Sequence, residues 1–152
     1  MYKVRLVSFL EPLVINTTFS KWPNHITLTP AFKVNDLDEL VDRLKGESLS
    51  IRRISYRVSS IAYFGLNKDV KVSLLANNNE LRSLHGSLLK IVTNFGIKTD
   101  MKYAGNNYKP HITHNCAPYP KENDEGFISN ISVVRYLDSE KEIVGVIELT
   151  KS

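Results

Sequence analysis

The 152-residue sequence contains one cysteine, one tryptophan and no long uninterrupted run of apolar residues. With Cys116 alone, no intrachain disulfide is possible, and nothing indicates an oxidising compartment. The apolar stretch at residues 6–10 ends at Glu11-Pro12 and has no cleavage site of the kind that follows a secretory signal. No stretch approaches the roughly 20 residues that a membrane-spanning helix needs. We therefore expect a cytoplasmic protein with no membrane partner.

Neither sign of charge is in large excess, since 20 Lys and Arg oppose 16 Asp and Glu, for a net charge of +4. So mild a balance does not suit a protein that coats nucleic acid, but it is compatible with a small ligand that contains phosphate. Hydrophobic residues make up 42% of the chain, which is enough for a proper core. No linker divides the sequence, so residues 1–152 are predicted to form a single domain.

The hydrophobic pattern alternates between periods typical of strands and of helices, which predicts the α+β class. One helix should begin at Asn35 or Asp36 and end at Gly46, and a second should run from the Asn77–Asn79 turn to about Phe95. Extended structure is predicted at 2–9, 49–64, 70–75, 127–137 and 142–150, with the last two as a hairpin.

The tripeptide His-Ile-Thr occurs twice, at residues 25–27 and 111–113, each time with a proline one or two residues upstream. A β-branched, apolar phrase favours an extended chain, in which side chains alternate between the two faces. The histidine and the threonine of each copy therefore share a face, while the isoleucine turns inward. The candidate catalytic residues are His25, Thr27, His111 and Thr113.

The two phrases resemble the paired signature of the 2H phosphoesterase superfamily, which includes LigT-type bacterial 2'-5' RNA ligases, RNA cyclic phosphodiesterases and viral 2',5'-phosphodiesterases. The resemblance covers most of the chain from Pro23 onward. It implies a bilobal, LigT-like α+β fold in which two antiparallel sheets, flanked by helices, surround a central cleft. LigT-type members usually place a substantial helix before the first motif. Only the short segment 10–22 is available here, which favours the compact viral and phage members.

Phosphodiester cleavage requires one proton to be removed from the attacking group and another to be delivered to the leaving oxygen. An imidazole with a pKa near 6.5 can do either at neutral pH, so two facing histidines can supply both roles. Hydroxyl donors beside each imidazole can stabilise the charge that builds on the phosphate oxygens. This scheme calls for no metal and no cofactor.

A zinc site built from His111, His114 and Cys116 is the competing interpretation. In a regular strand the two histidines are an odd number of residues apart and point to opposite faces, which argues against it. His85, beside the apolar face of the second helix, is more typical of the edge of a core than of a catalytic site.

An aromatic residue precedes each motif histidine by three positions, Trp22 in the first copy and Tyr108 in the second. Each could pack in the core or stack on a nucleobase, and we treat both as candidate substrate-binding residues. A basic lining of the cleft is a further hypothesis, with simple solvation as its alternative. Its candidates are Arg52, Arg53, Arg57, Lys102 and Lys109.

These observations predict a metal-independent phosphodiesterase that cleaves 2'-5' or cyclic phosphodiester bonds in oligonucleotides or nucleotide second messengers. The partner is then a nucleotide or oligonucleotide, and no obligate protein partner is implied. The resemblance to viral members makes destruction of a host's nucleotide immune signal, in the host cytoplasm, the predicted setting. The alternatives are an RNA-end 2',3'-cyclic phosphodiesterase or 2'-5' RNA ligase, and a nucleotide-binding module without catalysis.

Overall fold

The structure, a computed structural model, describes residues 1–48, 50–98 and 104–151, with only the backbone for 96–98. Residue 49 of the predicted extended segment and Lys102 of the predicted basic lining lie outside these residues. The helices are α1 Leu37–Ser48 and α2 Asn79–Phe95. The strands are β1 Tyr2–Phe9, β2 Thr18–Phe19, β3 His25–Thr27, β4 Phe32–Val34, β5 Ile54–Phe64, β6 Val70–Leu75, β7 Gly96–Lys98, β8 His111–Thr113, β9 Glu125–Ile128, β10 Asn130–Tyr136 and β11 Lys141–Glu148.

The strands pair antiparallel in the order β2-β11-β10-β1-β3-β8-β6-β5-β9, and β4 and β7 extend from β1. The α+β class is thus confirmed. The two antiparallel sheets that we expected are joined, because Ile26 of β3 pairs with Ile112 of β8. The two lobes form one continuous sheet, and the His-Ile-Thr phrases are the two strands at the seam.

Side chains cap both helices where the sequence predicts. The Asp36 carboxylate accepts a hydrogen bond from the Glu39 N–H (3.0 Å), and the Asn78 side-chain oxygen accepts one from the Leu81 N–H (3.1 Å). The predicted end of α1 at Gly46 is wrong by two residues. Gly46 meets open space and keeps a helical conformation, so the helix continues to Ser48 at only a modest cost in propensity.

The main hydrophobic core lies between the helices and one face of the sheet. Ile26 and Ile112 belong to it, so the isoleucine of each phrase does turn inward. The predicted apolar face of α2 is buried there as well, at Leu81, Leu84, Leu88, Ile91 and Val92. Neither helix in the described part of the chain is long and apolar enough to cross a membrane.

A second, smaller core lies on the opposite face of the sheet, against the segment that precedes the first motif. Val7, Phe9, Val134 and Ile143 are its buried members. Leu13, Phe19, Trp22 and Val146 pack against them. Segment 10–22 thus covers this face of the sheet over β1, β10 and β11. The side chains of β3 and β8 on the same face lie next to the covered area.

Candidate active site

The pairing of the two seam strands places the four predicted catalytic side chains on one face. Because Ile26 pairs with Ile112 in antiparallel register, His25 lies opposite Thr113 and Thr27 lies opposite His111. Diagonal positions on paired strands are about 7–8 Å apart, so two imidazoles placed in this way can flank a phosphate group. The two histidines also interact electrostatically. The positive charge of His111 disfavours protonation of His25 and so helps to lower the pKa of His25.

Each motif imidazole is held by the same local hydrogen bond. His25 Nδ1 donates to the Pro23 carbonyl (2.8 Å), and His111 Nδ1 donates to the Lys109 carbonyl (2.7 Å). A carbonyl accepts only, so Nδ1 carries the proton of the neutral ring. Among the described residues, neither Nε2 has a hydrogen-bond partner. The nitrogen left to exchange a proton with a ligand is therefore Nε2 in both histidines.

An aromatic ring packs against each imidazole. Trp22 lies 4.5 Å from His25 between ring centroids, and Phe64 of β5 lies 4.9 Å from His111 in an edge-to-face arrangement. Phe9 completes the enclosure of His25, at 6.1 Å. These rings exclude water from one side of the pair and restrict the orientation of both imidazoles.

Burial lowers the pKa of His25 from 6.5 to about 4. The nearby charges of Arg5 and His111 act in the same direction, while the Pro23 carbonyl opposes them. Burial also lowers the pKa of His111, and the Lys109 carbonyl opposes that shift. Both imidazoles are consequently neutral in the free protein at pH 7. More interactions lower the pKa of His25 than lower the pKa of His111.

The two threonines are partly exposed, each next to the histidine of the facing strand. Within the residues that the structure describes, neither the Thr27 nor the Thr113 hydroxyl is engaged in a hydrogen bond. Both hydroxyls are free to donate to a bound anion.

Asn24, which immediately precedes His25, ties the two motifs together. Its side-chain nitrogen donates to the Cys116 carbonyl (2.8 Å), and its oxygen accepts from the N–H groups of Asn115 (3.2 Å) and Cys116 (3.3 Å). The chain that leaves β8 is thereby fixed to the chain that enters β3. Asn24 thus positions the two histidines relative to each other.

Tyr108 lies in the core and not on the open face. Its ring is only 6% exposed and stacks on His85 at 3.9 Å, and its hydroxyl donates to the Thr27 carbonyl (2.7 Å). Since the ring and the hydroxyl are both occupied, the geometry favours core packing of Tyr108, one of the two roles that we considered, over stacking on a nucleobase. Burial also raises the pKa of Tyr108, so the hydroxyl stays a donor that supports the backbone of Thr27.

His85 is a structural residue that is more deeply buried than its place at a core edge suggested. Its Nδ1 donates to the Leu28 carbonyl (2.7 Å), and its Nε2 accepts from the Gly105 N–H (2.9 Å). Both nitrogens of the neutral ring are used, which leaves no acid or base function.

His114 points away from the face that carries His25 and His111, in agreement with its odd spacing from His111. Its Nε2 donates to the Ser73 hydroxyl (2.7 Å), and Ser73 lies opposite the core residue Ile112. Its ring stacks on Tyr119 at 5.1 Å. In the described ranges no three His, Cys, Asp or Glu side chains are grouped as a metal ion would require.

Three residues of the site were missed by sequence reasoning, namely Arg5, Asn24 and Phe64. Arg5 and Phe64 lie on strands distant in sequence from the histidine that each one serves, whereas Asn24 adjoins His25 and acts on the chain after the distant second motif. Of the basic residues that we did consider, Arg52 and Arg57 lie away from the two motif histidines, whereas Lys109 lies two residues before His111. Arg57 lies on β5, two strands from β8, and donates to the side-chain oxygen of Asn123 (3.4 Å). Arg52 is exposed and lies before β5.

Solved structures share this architecture over the full length of the chain. E. coli LigT complexed with 3'-AMP matches with a TM-score of 0.66 at 12% identity, over 99% of both chains. TT0787 of Thermus thermophilus matches with a TM-score of 0.60 at 17% identity, and a crystal structure described as a phosphoesterase matches with 0.63 at 12%, each over 99% of both chains. At these identities the likeness shows the fold, and it confirms the predicted LigT-like architecture.

An antiparallel sheet with His-x-Thr phrases on two adjacent strands defines the class of two-histidine phosphoesterases. The family model of the 2'-5' RNA ligase superfamily matches residues 6–140, which include both phrases. The chain therefore belongs to that superfamily, the 2H phosphoesterases, as its motifs predict. A search of curated proteins finds no match.

Proposed function

We propose that this protein is a phosphodiesterase that needs no metal and cleaves 2'-5' or cyclic phosphodiester bonds in oligonucleotides or nucleotide second messengers. One observation carries the proposal. The two His–Thr pairs lie on neighbouring strands with the histidines diagonal to each other, and each imidazole is oriented by a hydrogen bond to a backbone carbonyl two residues upstream. Membership of the superfamily supports phosphate ester chemistry, and the 3'-AMP bound to LigT supports a nucleotide ligand.

The geometry supports in-line displacement at phosphorus. One imidazole Nε2 takes a proton from the attacking oxygen, which is either water or the adjacent ribose hydroxyl. The other imidazole, in its protonated form, gives a proton to the leaving oxygen on the opposite side of phosphorus. Attack by water yields a linear phosphate monoester, and attack by the adjacent hydroxyl yields a 2',3'-cyclic phosphate. The Thr27 and Thr113 hydroxyls donate to the non-bridging oxygens as negative charge grows on them.

We assign His25 as the base and His111 as the acid. The pKa of His25 is lowered to about 4, which keeps its Nε2 unprotonated and ready to accept a proton at neutral pH. His111 is less buried and lacks the Arg5 charge among its causes, so a bound phosphate can raise its pKa and supply the proton that the leaving oxygen needs.

Trp22 and Phe64 are the proposed walls for the nucleoside parts of the substrate. Both are partly exposed rings in contact with a catalytic imidazole. A base stacked on such a ring contributes roughly 1–3 kcal/mol, so each ring can hold one nucleoside beside the phosphate. Tyr108 is not part of this proposal because its ring is buried.

The proposed setting is the destruction of a host's nucleotide immune signal. Its support is segment 10–22, which is folded against the sheet with the short strand β2 and no helix. The alternative that the superfamily itself favours is processing or ligation of RNA ends that carry 2',3'-cyclic phosphates.

The test is turnover by EDTA-treated protein on 2'-5' oligoadenylate, 2',3'-cyclic mononucleotides, cyclic di- and trinucleotides and 3'-5' RNA, with products resolved by chromatography. His25→Ala and His111→Ala should each lower kcat by about 10²- to 10⁴-fold, the usual contribution of an acid or base. Thr27→Ala and Thr113→Ala should each cost on the order of 10²-fold. The matched control, His114→Ala, removes a histidine on the other face and should keep wild-type turnover.

Cleavage that depends on both histidines and resists EDTA would support the proposal and name the substrate class. Joining of a 5'-hydroxyl end to a 2',3'-cyclic phosphate end, without cleavage of any substrate in the panel, would favour the ligase alternative. Tight nucleotide binding with no product after long incubation would refute catalysis and leave a binding module.

A further inference from the structure

A group of cations and aromatic rings lies beside His25 on the catalytic face of the sheet. Phe9 of β1 pairs with His25, and alternate residues along β1 share that face, which places Arg5 and Lys3 on it. Arg5 pairs with Val134 of β10, whose neighbour two residues on, at the end of that strand, is Tyr136. We call Lys3, Arg5, Trp22, Tyr136 and Lys141 the β1 cationic cluster.

The three cations of this cluster lie over its two aromatic rings. The Arg5 guanidinium carbon lies 6.0 Å from the Trp22 centroid and 5.8 Å from the Tyr136 centroid. Lys3 Nζ lies 4.7 Å from the Tyr136 ring, and Lys141 Nζ lies 5.7 Å from the Trp22 ring. Two rings thus hold three positive charges close to one another, at the outer limit of cation–π attraction for most of them.

No carboxylate of the described residues forms an ion pair with any of these three cations. Glu142, the sequence neighbour of Lys141, pairs instead with Arg135 (3.9 Å). The Arg5 Nε atom is buried and has no hydrogen-bond partner in the described ranges. A partly buried guanidinium without a counter-ion is costly, and its planar fork matches a phosphate group.

The cluster and the reaction centre share one residue. Trp22 contacts the His25 ring at 4.5 Å and the Arg5 guanidinium at 6.0 Å, so an anion at Arg5 lies next to the group bound at His25. The charge of Arg5 is also felt at His25, where it disfavours protonation and helps to lower the pKa. The cluster therefore flanks the scissile phosphate on the His25 side, away from His111.

We propose that Arg5, with Lys3 and Lys141, binds a second phosphate group of the substrate beside the one that is cleaved. This inference rests on the proposed function and deepens it. The favoured substrate class contains at least two phosphates, as oligonucleotides and cyclic oligonucleotides do. A mononucleoside 2',3'-cyclic phosphate leaves the subsite empty and binds more weakly.

The direct test is calorimetric binding of adenosine 3'-monophosphate and adenosine 3',5'-bisphosphate, ligands that the protein need not cleave. Wild-type protein should prefer the bisphosphate by about 10- to 100-fold, the range expected for hydrogen bonds to a charged group. Arg5→Met should abolish this preference, so that the two ligands bind with similar affinity. The preference should also shrink as salt rises, because ions screen partly exposed charges.

Two further variants keep the test sharp. Lys3→Met removes an exposed cation at the rim of the cluster, so the fold is expected to survive, and it should reduce the preference several-fold. Arg57→Met, at an arginine two strands from the site, is the matched control and should keep the full preference. Thermal melting checks that each variant is folded.

Kinetics separate failure of the subsite from failure of the proposed function. For a 2'-5' diadenylate with and without a 5'-phosphate, Arg5→Met should remove the advantage of the phosphorylated substrate, so that the two KM values become similar. If wild-type protein handles both substrates without preference, or Arg5→Met weakens both equally, the second phosphate site is refuted while the phosphodiesterase stands. If neither nucleotide is bound or cleaved, the proposed function fails and the subsite fails with it.

Discussion

Acid should destabilise this protein through His25, because its buried imidazole resists protonation in the folded state. Its pKa is about 4, whereas an exposed histidine in the unfolded chain has a value near 6.5. Between these values the unfolded chain binds a proton that the folded chain does not bind. The contribution of His25 is thus fully present above pH 6.5 and is lost as the pH falls toward 4.

The size of the effect follows from the two pKa values. At about 1.4 kcal/mol for each pH unit, the gap between them corresponds to about 3 kcal/mol, of which about 2 kcal/mol is lost by pH 5. The imidazole is 8% exposed, so solvent screening removes little of this energy. The other histidines also have lowered pKa values, which is why a variant at His25 is needed to isolate its share.

The assay is reversible urea denaturation at pH 7.5 and pH 5.0 for wild-type protein, His25→Gln and His114→Gln. Glutamine keeps a polar side chain but does not titrate, so His25→Gln should lose about 2 kcal/mol less than wild-type protein between the two pH values. His114 is far less buried, and His114→Gln should keep most of the wild-type loss. Equal losses in wild-type protein and His25→Gln, or an NMR titration of His25 with a midpoint near 6.5, would refute the reasoning.

Two further predictions concern residues that position the proposed catalytic groups. Tyr108→Phe removes the hydroxyl that donates to the partly buried Thr27 carbonyl, so the free energy of unfolding should fall by about 1–3 kcal/mol and kcat should fall with it. Urea denaturation and turnover would measure both, and unchanged values would contradict the assigned role. Asn24→Ala removes the bonds to Asn115 and Cys116, and should cost about 2 kcal/mol and lower kcat more than it raises KM. Asn24→Ala with normal kcat would show that the motifs hold their spacing without this side chain.

Short-range patterns predicted much of the fold. Strands β1 and β6 begin and end where the alternation of apolar residues placed them, and the caps at Asp36 and Asn78 are formed as expected. Such features depend on side chains a few positions apart, which the sequence displays directly. Segment 10–22 had no such pattern, because its apolar side chains are arranged by the second core and not by a helical or strand period.

The two aromatic residues upstream of the motifs show the limit of this reasoning. Trp22 and Tyr108 have the same offset from their histidines, yet Trp22 packs on His25 at the open face while Tyr108 is buried against His85. The offset is local, but the surroundings come from distant elements. Helix α2 supplies His85 on one side, and β1 with the segment before β3 supplies Phe9 and Phe19 on the other.

The chemical groups of the site follow from local sequence, since one His-Ile-Thr phrase in an extended chain presents an imidazole and a hydroxyl on the same face. How those groups meet depends on long-range packing. The Ile26–Ile112 pairing set the diagonal of the two histidines, burial lowered the pKa of His25, and β1 brought Arg5 beside it. The physical reason is that local conformation follows from neighbouring residues, whereas strand pairing and burial depend on the free energy of the whole core.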